Sequence, residues 1–116
     1  MEFRGVQWLG LGLSCLFLIG SCQSNPSQAY PTASAVSANA KSGQGVDLAI
    51  LEHGRKIFTT RCTECHVART IANYSIPQWQ HYISIMAPRA KLASDDRAAL
   101  ETYVLQARES LEYTSE

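Results

Sequence analysis

Cys62-Thr63-Glu64-Cys65-His66 decides how this chain is read. Two cysteines separated by two residues and followed at once by histidine form the attachment pattern for c-type haem. Each part has a physical task. The two thiols add across the haem vinyl groups as thioethers, and the two-residue gap lets a tight backbone turn span the distance between those vinyls. His66 then falls over the iron and donates a ring nitrogen as the proximal ligand. A haem held covalently cannot dissociate, which suits a protein working outside the cytoplasm.

Two other chemistries use paired cysteines. A zinc site needs two further ligands at suitable spacing. The remaining histidines, His53 and His81, do not form a paired ligand motif. A thioredoxin-like dithiol needs a βαβ context, and no such alternation of strand and helix patterns is visible.

The N-terminus reads as a targeting segment. Arg4 supplies a positive charge, and Val6 to Ile19 is apolar apart from Gln7, the glycines and Ser14. That run is short of the ~20 apolar residues of a membrane-spanning helix, and it matches a secretory signal. It ends in Leu18-Ile19-Gly20-Ser21-Cys22. Small residues directly before a cysteine resemble the lipobox of bacterial lipoproteins. The resemblance implies a signal peptide over residues 1–21, cleavage before Cys22 and a diacylglyceryl group on the Cys22 thiol. Two or three acyl chains anchor a protein stably, at ~0.8 kcal/mol per buried CH₂. This use leaves no cysteine for a disulfide: Cys15 leaves with the signal, Cys22 carries lipid, and Cys62 and Cys65 carry haem. The expected location is the periplasmic side of a bacterial membrane.

The chain has 116 residues and a formal net charge of zero, so a single small domain is expected, with no electrostatic case for a nucleic-acid partner. Residues 22–45 are rich in Ser, Ala, Asn, Gln, Pro and Gly, with Lys41 the one charge and little apolar bulk beyond Tyr30 and Val36. They read as a flexible tether in which Tyr30 is incidental. The folded domain is then residues 46–116, a size at which a peptide core alone is marginal and a buried haem would supply apolar mass.

Three helical segments are expected, and no strand alternation is convincing, so the fold class is all-α. The first runs from Val46 to about Arg61, capped by Asp47, with Leu48, Ile50 and Leu51 giving an apolar side that Ile57 and Phe58 continue. Gly54 inside it costs helix propensity, which points to close approach of another backbone. The second runs from Pro77 to Met86, with proline in the first turn and Pro88 ending it. Trp79, Ile83 and Met86 share one face. The third runs from about Ser94, an N-cap followed by Asp95 and Asp96, to Leu111. Leu100, Tyr103, Val104, Ala107 and Leu111 form its buried stripe.

The order Gly54-x-x-x-Phe58, Cys62-x-x-Cys65-His66, Met86 and a capped helix containing Tyr103 resembles a class I cytochrome c, over Val46 to about Ala107. The resemblance implies a small haem domain whose N- and C-terminal helices cross near the haem through Gly54, Phe58 and Tyr103. It also implies that Met86 reaches the iron opposite His66, and that the carbonyl of Pro77 accepts from the His66 ring N–H. In one respect the chain departs from the pattern. The interval from His66 to Met86 is about half that usual in the family, so the loops around the lower haem edge are trimmed. Trp79 followed by Ile83 and Met86 resembles a subset of short bacterial cytochrome domains. The sixth ligand stays open among Met86, the rival His81 and none, since a methionine at helical spacing also serves as core filler. His53 is expected to be a surface residue.

An iron with histidine on one side and a thioether on the other has no free position for a small-molecule substrate, and the thioether favours the ferrous state. The expected function is that of a membrane-tethered electron carrier rather than an enzyme, with redox proteins as partners. Arg55, Lys56, Arg61, Arg69, Arg89 and Lys91 flank the motif and Met86, and a ring of such charges would steer an acidic partner. The alternative is a ligand-binding or sensor haem module, or a cytochrome subunit of a larger oxidoreductase, with an open or weakly occupied sixth position.

Overall fold

The computed structural model describes residues 29–40 and 45–113. The signal segment and Cys22 lie outside the described residues. Among the described residues all regular structure is helical. The α-helices are α1 (Ala33–Ala38), α2 (Leu48–Thr60), α3 (Ile76–Arg89) and α4 (Ser94–Tyr113), with short 3₁₀ turns at Arg61–Thr63 and Ile71–Asn73. No helix among the described residues is long and apolar enough to cross a membrane.

Helix α2 starts where its cap dictates: the Asp47 carboxylate accepts from the Ala49 amide at 2.8 Å. Its buried face is Leu51, Gly54, Ile57 and Phe58. Leu48 and Ile50, expected on that face, are instead exposed, and Leu51 is the residue of the first turn that faces the core. Helix α4 buries Leu100, Tyr103, Val104 and Ala107, with Leu111 partly buried. The two helices meet at Gly54. A Cβ there would lie 2.7 Å from Tyr103 Cβ and would overlap the backbone carbonyl of Ala99. The absent side chain therefore sets how closely α2 and α4 approach. At the solvent edge of the same pair, His53 Nε2 and Asp96 Oδ1 are 2.7 Å apart.

Helix α3 begins with a capping box. Ser75 Oγ accepts from the Gln78 amide at 3.5 Å, while Gln78 Oε1 accepts from the Ser75 amide at 2.9 Å. It runs one residue past Pro88, to Arg89. Proline's fixed φ is helical, so Pro88 fits the last turn, at the cost of its missing N–H and of its ring crowding the Ser84 carbonyl. The chain turns out through a Schellman arrangement: Lys91 N–H donates to Pro88 O at 3.1 Å and Leu92 N–H to Ala87 O at 3.1 Å. Lys91 takes the left-handed position that glycine usually fills, with φ 51°. Helix α4 starts at Ser94, whose hydroxyl donates to Asp95 Oδ1 at 3.4 Å.

The expectation of a flexible tether over residues 22–45 does not hold for residues 29–40. Thr32 caps α1, its hydroxyl accepting from the Ala35 amide at 3.2 Å. Ala33 and Val36 are 0% and 1% exposed, as deeply placed as any residue of the longer helices. Tyr30, expected to be incidental, packs edge-on against Phe58 with centroids 5.7 Å apart. Pro31 is tied to both long helices: Tyr103 Oη donates to its carbonyl at 2.7 Å, and Arg55 Nε donates to the same oxygen at 3.2 Å. The core is thus closed by a segment upstream of the expected domain boundary.

Candidate functional site

One cavity of about 1020 Å³ is bordered by the paired-cysteine motif and by α3. Its size lies at the upper end of the ~300–1,000 Å³ typical of small-molecule and cofactor sites. Phe58 comes from α2, Trp79, Ile83 and Ala87 from α3, and Leu100 from α4, and these buried side chains form the inner wall. Cys62, Cys65, His66 and Met86 all line it. The sequence separates Met86 from the motif, and the fold returns it to the same space.

Met86 lies near the C-terminal end of α3 and is 38% exposed, so it is not filling the core, which Trp79 and Ile83 of the same helix do. His81 is exposed and does not border the cavity. His53 is on the surface, paired with Asp96.

The His66 ring is oriented by the carbonyl that follows it. Nδ1 and Val67 O are 3.0 Å apart. A carbonyl only accepts, so Nδ1 is the donor, and in the neutral ring this leaves the lone pair on Nε2. This is the state an iron-ligating histidine needs. The partner differs from the one the resemblance implied: Pro77 sits at the start of α3, and the adjacent Val67 takes its place.

Burial raises the Cys62 thiol pKa above its ordinary value. A raised pKa makes Cys62 a poor attacking thiol. Neither Cys62 nor Cys65 is in a disulfide. Among the described residues no three His, Cys, Asp or Glu side chains converge as a metal-ligand cluster.

The segment after His66 is held by its carbonyls. Tyr30 Oη donates to Ala68 O at 2.8 Å, Trp79 Nε1 to Ile71 O at 2.9 Å and Arg108 Nε to Tyr74 O at 2.8 Å. Tyr74 then packs edge-on to Trp79, centroids 5.3 Å apart. A short loop with a single 3₁₀ turn, Ile71–Asn73, is made firm this way. These bonds were invisible in the sequence because their acceptors are backbone atoms.

Arg61, Arg69, Arg89 and Lys91 border the cavity and are exposed, so they form its rim, with Glu64 the one carboxylate among the lining residues. Arg61 donates to Ala90 O at 2.9 Å, bridging the motif to the end of α3, and lies 3.4 Å from Glu64. Arg55 and Lys56, expected in the same ring, are absent from it: Arg55 is turned to the Pro31 carbonyl.

Compared with known proteins, the chain matches no family model, no curated sequence and no solved structure.

Proposed function

We propose that this chain is an electron carrier holding one covalently attached haem c and tethered to a bacterial membrane through lipid on Cys22. The observation that carries the reading is the convergence of Cys62, Cys65, His66 and Met86 on one apolar-walled cavity of cofactor size. There Cys62 and Cys65 would hold the group by thioethers, and His66 Nε2 and Met86 Sδ would bind its iron. Bound there, the haem supplies one-electron exchange between ferric and ferrous iron.

The chain's own residues do the rest. The Val67 carbonyl holds the proton of His66 on Nδ1 and directs the lone pair of Nε2 toward the ligand position. Phe58, Trp79, Ile83 and Leu100 keep water from the inner face. A thioether ligand from Met86 would favour the reduced state and would leave the iron no open position for a substrate. Arg61, Arg69, Arg89 and Lys91 present positive charge around the opening, where a redox protein with an acidic face would dock.

The test is the optical spectrum of protein matured with haem, oxidised and reduced. The expected result is a six-coordinate low-spin spectrum with the weak far-red band of a methionine–ferric bond, lost in Met86→Ala. A haem-loaded chain that is high-spin and binds carbon monoxide without mutation would replace the carrier by the ligand-binding or complex-subunit reading.

A further inference from the structure

Two networks of hydrogen bonds meet at the loop after His66. In the first, Tyr103 Oη and Arg55 Nε both donate to the Pro31 carbonyl, at 2.7 Å and 3.2 Å, fixing the backbone beside Tyr30 against α2 and α4. In the second, His66 Nδ1 donates to Val67 O at 3.0 Å. The link between them is Tyr30, whose hydroxyl donates to Ala68 O at 2.8 Å, one peptide beyond the His66 acceptor. Val67 cannot anchor this stretch through its own side chain, which is 84% exposed. Ala68 has only a methyl group to pack. Among the described residues, no other side chain outside the loop holds a carbonyl between His66 and Ile71.

We propose that Tyr30 is a positioning residue for His66, and that residues 29–40 form a clasp through which the N-terminal segment sets the orientation and basicity of the imidazole. The inference rests on the haem-carrier reading and adds to it a residue far from the motif in sequence. The mechanism is local. With Ala68 O held, the preceding peptide cannot rotate freely, and Val67 O stays aimed at Nδ1. A histidine that donates a firm hydrogen bond from one ring nitrogen is a more basic ligand through the other. A more basic ligand stabilises ferric iron over ferrous iron and lowers the midpoint potential. Removing the Tyr30 hydroxyl loosens the Val67 carbonyl, weakens that donation and raises the potential.

The experiment is a redox titration of the haem-loaded chain beside Tyr30→Phe and Tyr103→Phe, with unfolding curves for each. Tyr30→Phe keeps the ring packed on Phe58 and removes only the bond to Ala68. Tyr103→Phe removes a bond of the same clasp that does not touch the loop. The expected result is a raised midpoint potential in Tyr30→Phe, and an unmoved potential with reduced stability in Tyr103→Phe, where Arg55 Nε still holds the Pro31 carbonyl. A potential that is unchanged or lowered in Tyr30→Phe, whatever its stability, overturns the proposal and leaves the carrier reading intact. A parent chain carrying no covalent haem on a denaturing gel overturns both.

Discussion

A methyl group on Gly54 would overlap the carbonyl oxygen of Ala99, so α2 and α4 touch backbone to backbone. Gly54→Ala sets two effects against each other. Alanine improves helix propensity by ~1 kcal/mol. Overpacking costs ~1–3 kcal/mol, occasionally more, and here the atom met is a backbone carbonyl in a helix, which cannot step aside. The expected outcome is net destabilisation, seen as a lower Tm by circular dichroism. A Tm equal to or above the parent's would mean that the helices separate at no cost.

The clasp makes a second expectation. A chain starting at Val46, the boundary suggested by composition, loses the burial of Val36 and Ala33 and the packing of Tyr30 on Phe58. Fully burying a valine alone is worth ~1.5–3 kcal/mol. The shortened chain is expected to unfold at clearly lower urea than one starting at Ala29. Coincident curves would return residues 29–40 to the role of a passive tether.

That segment also marks where the sequence stopped being legible. The long helices carry their pattern openly: Asp47 caps α2, Tyr103 and Val104 sit on the expected stripe, and Gly54 stands out as a costly residue with a packing reason. Residues 29–40 hide theirs. Their burial rests on small residues, and Ser, Ala and Pro read as linker composition; only Tyr30 and Val36 have apolar bulk. One cue was present in Thr32, a cap before Ala33, and another in Ser75 with Gln78, whose spacing is a capping box. At the site, the motif residues and Met86 were legible by type and order. The carbonyls of Val67, Ala68 and Pro31 were not, because any residue supplies a carbonyl and only the fold decides which ones are used.

Lys91 is held at φ 51° in the turn between α3 and α4. An L-residue pays roughly 1–2 kcal/mol for the left-handed conformation, whereas glycine pays in unfolded-state entropy. Lys91→Gly is expected to raise stability by about 0.5–1 kcal/mol in denaturant unfolding. Lys91→Val, with a branch at Cβ, is expected to lower it. The opposite order would show that the lysine side chain contributes more at the cavity rim than the backbone loses.

Burial pushes the Tyr103 phenol up to about 12, with the neighbouring Arg55 opposing the shift. The raised value means that the folded state favours the protonated phenol, which donates to Pro31 O. Its contribution is therefore fully present below the unfolded-state pKa of ~10 and is lost as pH rises through the folded value. Stability is expected to fall across this alkaline window, and Tyr103→Phe to flatten that fall while lowering stability at neutral pH. Parallel unfolding curves at pH 8 and at successive alkaline steps test it. A parent and variant that lose stability in step would assign the loss to other groups.

The rim charges offer a test that depends on range rather than contact. Arg69 and Arg89 border the cavity, and neither is needed for its apolar wall. Steering by such charges is strong when the Debye length is ~30 Å, at 0.01 M salt, and weak at ~8 Å, at 0.15 M. With an acidic redox protein as partner, the bimolecular electron-transfer rate of the haem-loaded chain is expected to fall at least ~10-fold between those salt concentrations. In Arg69→Glu/Arg89→Glu the rate at low salt should drop and its salt dependence flatten, while the midpoint potential and spectrum hold. A parent rate indifferent to salt would move the docking surface away from the rim, since no rearrangement of contacts escapes the screening of charges that face water.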